Sequence, residues 1–243
     1  MPSSDIVLSS SGVSMAFGEY KVLEDISLNI KDKEIVGILG PNGAGKTTYM
    51  NILTGALKPT QGDIQLLGED ITSLDTAKRC HLGLGRTHQV PRPFSHMTVF
   101  ENILVALNYG QNKHSEKPID EAWQILEETG LAPFANRSAE SLGLMNRKRL
   151  ELSRTLATKP KVLLLDEIGG GLTDSEGDEL VKLITKINAR GVTIIWIEHI
   201  MKMLLGACTR LVCMAEGKVL VDGLPQDVIK APEVQTAYFG VVI

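Results

Sequence analysis

Eight residues, Gly40-Pro41-Asn42-Gly43-Ala44-Gly45-Lys46-Thr47, fit the pattern G-x-x-x-x-G-K-[ST]. They follow the apolar run Ile35 to Leu39 and precede a segment that predicts a helix from Lys46 to about Leu53, the order of strand, loop and helix that this pattern demands. Glycines in such a loop let backbone N–H groups close around phosphate oxygens. The helix N-terminus adds partial positive charge, Lys46 a point charge and Thr47 a hydroxyl able to ligate Mg2+. With Thr48 next in the turn, residues 40–48 are therefore expected to bind a nucleoside triphosphate. The competing reading is a glycine-rich turn that does no more than begin a helix. Either way, the chain must contain a strand that feeds a helix across a tight loop.

Holding a metal and preparing water need a second element. Val162-Leu163-Leu164-Leu165-Asp166-Glu167 reads as a buried strand ending in two acids, with Asp166 at the carboxyl edge of a sheet, where it reaches Mg2+ through water. Glu167 is then free to polarise the attacking water, unless both acids are solvated turn residues. A guanine-reading N/T-K-x-D element is not supplied by Thr158-Lys159-Pro160-Lys161, which lacks its acid, and the helical middle of the chain carries no arginine-rich lid of the small-molecule kinase kind.

Strands are expected at Ile6 to Val13, Leu23 to Ile30, Glu34 to Leu39 and Ile64 to Leu67. Residues 98 to 158 change to a helical period, with Thr98 and Glu101 as a capping box and Pro118 and Gly130 bracketing an apolar stripe. From Lys161 the pattern alternates again: strand Val162 to Leu165, a helix through Leu180, Leu183, Ile184 and Ile187, strand Val192 to Ile197, then a hairpin Leu211 to Val221 turning near Glu216 and Gly217. Buried strands separated by amphipathic helices predict an α/β fold with a parallel sheet, into which the middle helices are inserted. No apolar stretch approaches the ~20 residues of a bilayer crossing. The polar start Pro2, Ser3, Ser4, Asp5 predicts no secretory leader, and Cys80, Cys208 and Cys213, without zinc-like spacing, predict free thiols in a reducing cytoplasm. A net charge of −4 gives no global attraction to nucleic acid, so none is expected as a partner.

Together these segments resemble the nucleotide-binding subunits of ABC transporters, and most closely the branched-chain amino acid uptake ATPases. The resemblance implies a P-loop NTPase fold: a parallel RecA-like core sheet, an N-terminal antiparallel β subdomain and an inserted helical subdomain. One nucleotide-binding domain then spans 1–243, with a core lobe of about 1–88 and 160–243 and a helical lobe of about 89–159. It also implies that Phe17, in Met15-Ala16-Phe17-Gly18-Glu19, stacks on adenine, the alternative being a core aromatic in an edge strand. Gln89, in Arg86-Thr87-His88-Gln89, matches the glutamine that touches Mg2+ and couples the helical lobe to a permease; a solvated loop glutamine is the other reading. His199, in Glu198-His199, matches the switch histidine on the γ-phosphate, against a satisfied core histidine. Arg-Thr-x-Gln, Pro-Arg-Pro-Phe at Pro91 to Phe94, and the ending Pro225 to Ile229 through Tyr238-Phe239-Gly240 narrow the likeness to the branched-chain subgroup, with lipopolysaccharide-export and urea-uptake ATPases similar.

In that family two ATPase subunits face each other, each ATP lying between one phosphate loop and the partner's signature motif. The implied setting is the inner face of the cell membrane, with ATP and Mg2+ as cofactors, transmembrane permease subunits as partners, and Lys46, Gln89, Glu167 and His199 as the catalytic set. Aligned on Leu150-Glu151-Leu152-Ser153-Arg154, Leu142-Gly143-Leu144-Met145-Asn146 stands where the family has Leu-Ser-Gly-Gly-Gln. Gly143 lacks the serine hydroxyl, a loss of about 1.5–3 kcal/mol for a charge-assisted hydrogen bond, and Met145 is expected to crowd the partner's phosphate. Ile168 replaces a usual proline, and Thr173, in Gly170-Gly171-Leu172-Thr173, a usual acid. An intact phosphate-loop set beside a degenerate signature suggests an asymmetric pair with a second ATPase rather than a homodimer. A nucleotide sensor that hydrolyses poorly is the rival.

Overall fold

Ile35–Leu39, Val162–Asp166 and Thr193–Ile197 are buried at every position, so each must be covered on both faces, as in the middle of a helix-covered sheet. The computed structural model, which describes residues 5–111 and 115–239, provides that sheet. Pro2, Ser3, Ser4 and Gly240, on which the readings of the start and of the ending partly rest, lie outside the described residues.

In chain order the strands are β1 (Ile6–Phe17), β2 (Tyr20–Lys31), β3 (Ile35–Leu39), β4 (Gln61–Leu66), β5 (Glu69–Asp70), β6 (Leu84–Arg86), β7 (Val162–Asp166), β8 (Thr193–Ile197), β9 (Arg210–Ala215) and β10 (Lys218–Gly223). The helices are α1 (Lys46–Leu53), α2 (Thr76–His81), α3 (Val99–Tyr109), α4 (Pro118–Thr129), α5 (Leu144–Ala157), α6 (Asp174–Ala189), α7 (Met201–Ala207), α8 (Pro225–Val228) and α9 (Pro232–Phe239). Six strands form one sheet in the order β10-β9-β3-β8-β7-β6, parallel except for the edge strand β10. A second, antiparallel sheet runs β2-β1-β4-β5.

Alternate residues of the parallel strands supply two cores. Val36 and Ile38 of β3 face the antiparallel sheet and α1, whereas Ile35 and Leu39 join Leu163, Leu165, Ile194 and Trp196 under α6 and α7. A third core belongs to α3, α4 and α5. Helix α5 serves two of them, placing Leu150 and Ala157 in the helical core and Met145 and Leu152 beneath the parallel sheet. No helix among the described residues is long and apolar enough to cross a membrane.

Local chemistry explains most element ends. Thr98 and Glu101 make the expected capping box, and Gly130 closes α4 at φ +73°. Glu216 and Gly217, at φ +49° and +74°, turn the β9–β10 hairpin. Strands β1 and β2 run longer than their apolar alternation, to Phe17 and from Tyr20. The alternation is interrupted at Ser10, which is buried because its hydroxyl meets Tyr49 Oη at 2.8 Å and accepts from Leu28 N–H, and by a register shift between Ser10 and Val13. The segment between Ile64 to Leu67 and Thr98 holds β5, α2 and β6, which periodicity missed because they are so short. Buried Arg79 of α2 donates to the carbonyls of Ile52, Leu53, Leu74 and Thr72, tying off the end of α1. All three cysteines are free thiols.

The residue standing in place of the usual acid at 173 keeps a structural task. Thr173 caps α6, accepting from Glu176 N–H while Glu176 reaches back to the Thr173 backbone. Thr173→Ala is expected to cost about 1 kcal/mol, lowering Tm by about 2–4 °C in a thermal melt, while Thr173→Asp, another good cap, holds the wild-type Tm.

Candidate functional site

The phosphate loop leaves β3 at Leu39 and enters α1 at Lys46. Gly43 and Gly45 adopt φ of +82° and +95°, conformations that favour glycine. At Gly45 a Cβ would stand 2.5 Å from Leu23 Cδ2 and 3.0 Å from the Val22 carbonyl oxygen, so the loop is held against β2 with no space for a side chain. Gly45 also occupies the N-cap of α1 without any side-chain cap, leaving the first amides of the helix unclaimed by one. Lys46 is buried and its ammonium donates to Gly40 O at 2.6 Å and Pro41 O at 3.0 Å. Burial pulls its pKa below the ordinary value, against the opposing charges of Glu167, Cys213 and Asp166. Thr47 is exposed in the first helical turn, with Thr48 half-buried beside it.

Three further strands end on the same edge. Asp166 closes β7 and is buried, its carboxylate receiving Arg86 Nη2 at 2.7 Å. Glu167 follows at φ +45°, an uncommon conformation for a side chain of this size, and its N–H is tied to Ile197 O at 2.9 Å. Gln89, beyond the end of β6, donates through Nε2 to Glu167 Oε2 at 2.6 Å. His199, beyond β8, holds Nδ1 4.0 Å from the same oxygen and 3.4 Å from Glu198 Oε1. The side chain of His199 is 56% exposed, which removes the core-histidine reading, and Gln89 is engaged rather than merely solvated. Phe17 is 52% exposed and so is no core aromatic. A cavity of about 390 Å3 beside the loop is lined by Tyr20, Lys21, Pro41, Asn42, Gly43 and Gly217 among others, with Phe17 outside that lining. Tyr20 pairs with Phe17 across the β1–β2 turn and is an exposed aromatic that the motif reading passed over.

Residues 142–146 stay outside this cluster of side chains. Gly143 is the N-cap of α5 with no side-chain cap, and a Cβ there would meet nothing within 4 Å. The expectation that Met145 crowds the partner's phosphate is corrected: Met145 is only 9% exposed and packs beneath the parallel sheet, because the second residue of α5 faces inward. Leu144, 47% exposed, is the apolar side chain that shows at this helix start, and Asn146 is half-buried. Leu144 also lies against the loop after β7, since a Cβ on Gly171 would approach its Cδ2 to 3.1 Å.

Two ties escaped motif reasoning. Glu198 is fully buried, and its carboxylate accepts from Gly169 N–H at 2.9 Å and His199 N–H at 3.0 Å. Lys148 of α5 donates to Ile168 O at 2.8 Å. An acid directly after the buried strand β8 was the available signal for the first; nothing local marks the second.

Thr47, Asp166 and Gln89 offer hydroxyl, carboxylate and amide groups, a hard oxygen set of the kind Mg2+ accepts when a nucleotide's phosphates complete its shell. Among the described residues no three His, Cys, Asp or Glu side chains gather into a metal cage of their own.

A family profile described as "ABC transporter" matches residues 23–169. The high-affinity branched-chain amino acid transport ATP-binding protein BraF of Pseudomonas aeruginosa is 39% identical over 96% of this chain and 98% of its own length. The lipopolysaccharide export system ATP-binding protein LptB of Haemophilus influenzae is 31% identical, over 96% and 97%. The crystal structure of a nucleotide-free ATP-binding cassette from an ABC transporter superposes with a TM-score of 0.89 at 28% identity, covering 97% of this chain and 100% of that one.

Gly45→Ala forces a side chain into the left-handed region and against the Val22 carbonyl. Expected are a loss of about 1–3 kcal/mol in stability and at least a tenfold weaker ATP affinity, measured by chemical denaturation and by fluorescent-nucleotide titration.

Proposed function

This chain belongs to the ABC transporter family, as an ATP-binding subunit that hydrolyses ATP for a transport system, and from that membership we propose that its cargo is a branched-chain amino acid or a related small polar solute, taken up through transmembrane permease subunits. The 39% identity to BraF, against 31% to LptB, favours uptake of that class over lipopolysaccharide export. A single domain is proposed, with the core lobe at about 1–88 and 160–243 and the helical lobe at about 89–159, working at the cytoplasmic face of the membrane.

One observation carries the mechanism: Gln89 and His199 converge on Glu167 at the edge where the phosphate loop also opens. The loop amides and Lys46 bind and orient the phosphates, with Phe17 or Tyr20 offering an aromatic face to the base. Thr47, Gln89 and, through water, Asp166 would hold Mg2+, which would supply positive charge to the phosphate oxygens. Glu167 accepts the proton of the attacking water, and His199 orients the terminal phosphate from the other side. Gln89 occupies Glu167 Oε2 here, so its withdrawal frees the base, a natural means for the helical lobe to report the permease's state.

The partner ATPase is proposed to be a different polypeptide. Gly143 leaves the start of α5 with amides but no hydroxyl, so a second copy of this chain would offer each ATP an impoverished lid, whereas a partner with an intact signature would complete the Lys46 site.

Glu167→Gln is expected to keep ATP affinity within a few-fold while single-turnover hydrolysis with the permease falls about 100-fold or more; unchanged turnover removes Glu167 as the base. For the isolated chain, steady-state hydrolysis is expected to rise no faster than linearly with protein concentration. Vigorous growth with its square overturns the heterodimer.

A further inference from the structure

We propose that Arg86 is a positioning residue for the metal-binding carboxylate: it is the standing counter-cation of Asp166, keeping that side chain aimed and neutralised until nucleotide-borne Mg2+ takes over its charge. This rests on the preceding section's reading that Asp166 faces Mg2+ through water.

The pair is nearly dry. Arg86 and Asp166 side chains are 14% and 8% exposed, and Nη2 stands 2.7 Å from Oδ2. A carboxylate so placed is costly unless it is paired and hydrogen-bonded. Lys46, the other nearby cation, is committed to the Gly40 and Pro41 carbonyls, which leaves Arg86 as the cation in contact. The guanidinium is also held from its other side: Nη1 donates to Asn51 Oδ1 at 2.6 Å and lies 3.4 Å from Thr54 Oγ1, at the far end of the helix that starts at Lys46. A planar fork meets two acceptors in fixed directions, as an ammonium cannot. Its Nε is buried without a partner, so the group is placed for Asp166 and Asn51 at the expense of its own full satisfaction.

The backbone extends the reach of this contact. Arg86 lies opposite Leu164 in the β6–β7 ladder, its carbonyl accepts from Thr155 Oγ1 of α5 at 3.2 Å, and Gln89 follows three residues on. One residue thus joins the helix after the phosphate loop and the acid through its side chain, and α5 and the strand that leads to Gln89 through its backbone. A dication drawn near Asp166 would repel Arg86, and its water shell would claim hydrogen bonds from the same carboxylate. Its grip must loosen as the metal binds, which makes Arg86 sensitive to occupancy of the site.

The test is thermal unfolding of the full chain with ADP, in EDTA and in excess Mg2+. Arg86→Met is expected to lower Tm in EDTA by roughly 5–15 °C, and Mg2+ is expected to recover at least half of that loss, a larger increment than it gives the wild type. Arg86→Lys is expected to fall between the two. The double variant R86M/D166N, free of both charges, should regain stability in EDTA and lose the magnesium increment. An R86M protein that melts with the wild type, or one that falls but shows only the wild-type increment, overturns the proposal. If R86M does not fold, a cooperatively folding R86M/D166N supports it and failure of both overturns it. Failure of the underlying site reading is seen separately, as wild-type ADP affinity that does not respond to Mg2+ in calorimetry.

Discussion

Parallel pairing at the centre of the large sheet is the constraint on which everything else depends. Strands β3, β8, β7 and β6 are adjacent and point the same way, so their carboxyl ends emerge together. Asp166 lies opposite Ile197, which continues into Glu198 and His199, and Ile38 lies opposite the same residue on the other side. Backbone hydrogen bonds thereby set the loops carrying Lys46, Glu167, Gln89 and His199 at one level before any side chain takes part. A slip of one residue in β7 would turn Asp166 to the other face of the sheet and draw a leucine into its place.

Charge then works over short distances in a dry setting. Glu198 bridges the amides of Gly169 and His199, and Lys148 fastens the Ile168 carbonyl to α5, so the loop after β7 is gripped from both the strand side and the helical side. Such bonds to charged groups are stronger than neutral ones, and leaving either partner alone would strand a buried charge. The arrangement means that displacement of α5 is felt at the loop that follows Glu167.

Much of this is legible in the sequence alone. Val162 to Glu167 announced a buried strand with acids at its tip, Gly40 to Thr47 its phosphate loop, and Thr98, Pro118 and Gly130 their helix ends, because each depends on chemistry within a few residues. What escaped depends on partners remote in the chain. The burial of Ser10 within β1 has no reason until Tyr49 is seen beside it, Met145 reads as an obstruction until the orientation of α5 is known, and Arg86 is unremarkable until Asp166, eighty residues away, comes into contact. Glycine followed by a methionine states what is missing from a signature, not which way the replacement points.

The Gly40 amide is bonded at 2.6 Å to the hydroxyl of Tyr238, a partner 198 residues later, and β3 itself is flanked by β8 and β9, both made long after it. During synthesis the nucleotide cradle is therefore written early and finished late. Its strand has no lateral neighbour in the large sheet until β8 is made at residue 197 and lacks the second until β9 is made at residue 215, and its first glycine lacks this bond until Tyr238 has emerged. Loop closure over such separations makes assembly slow, and a nascent chain cannot hold ATP in its finished geometry before its fold is essentially complete.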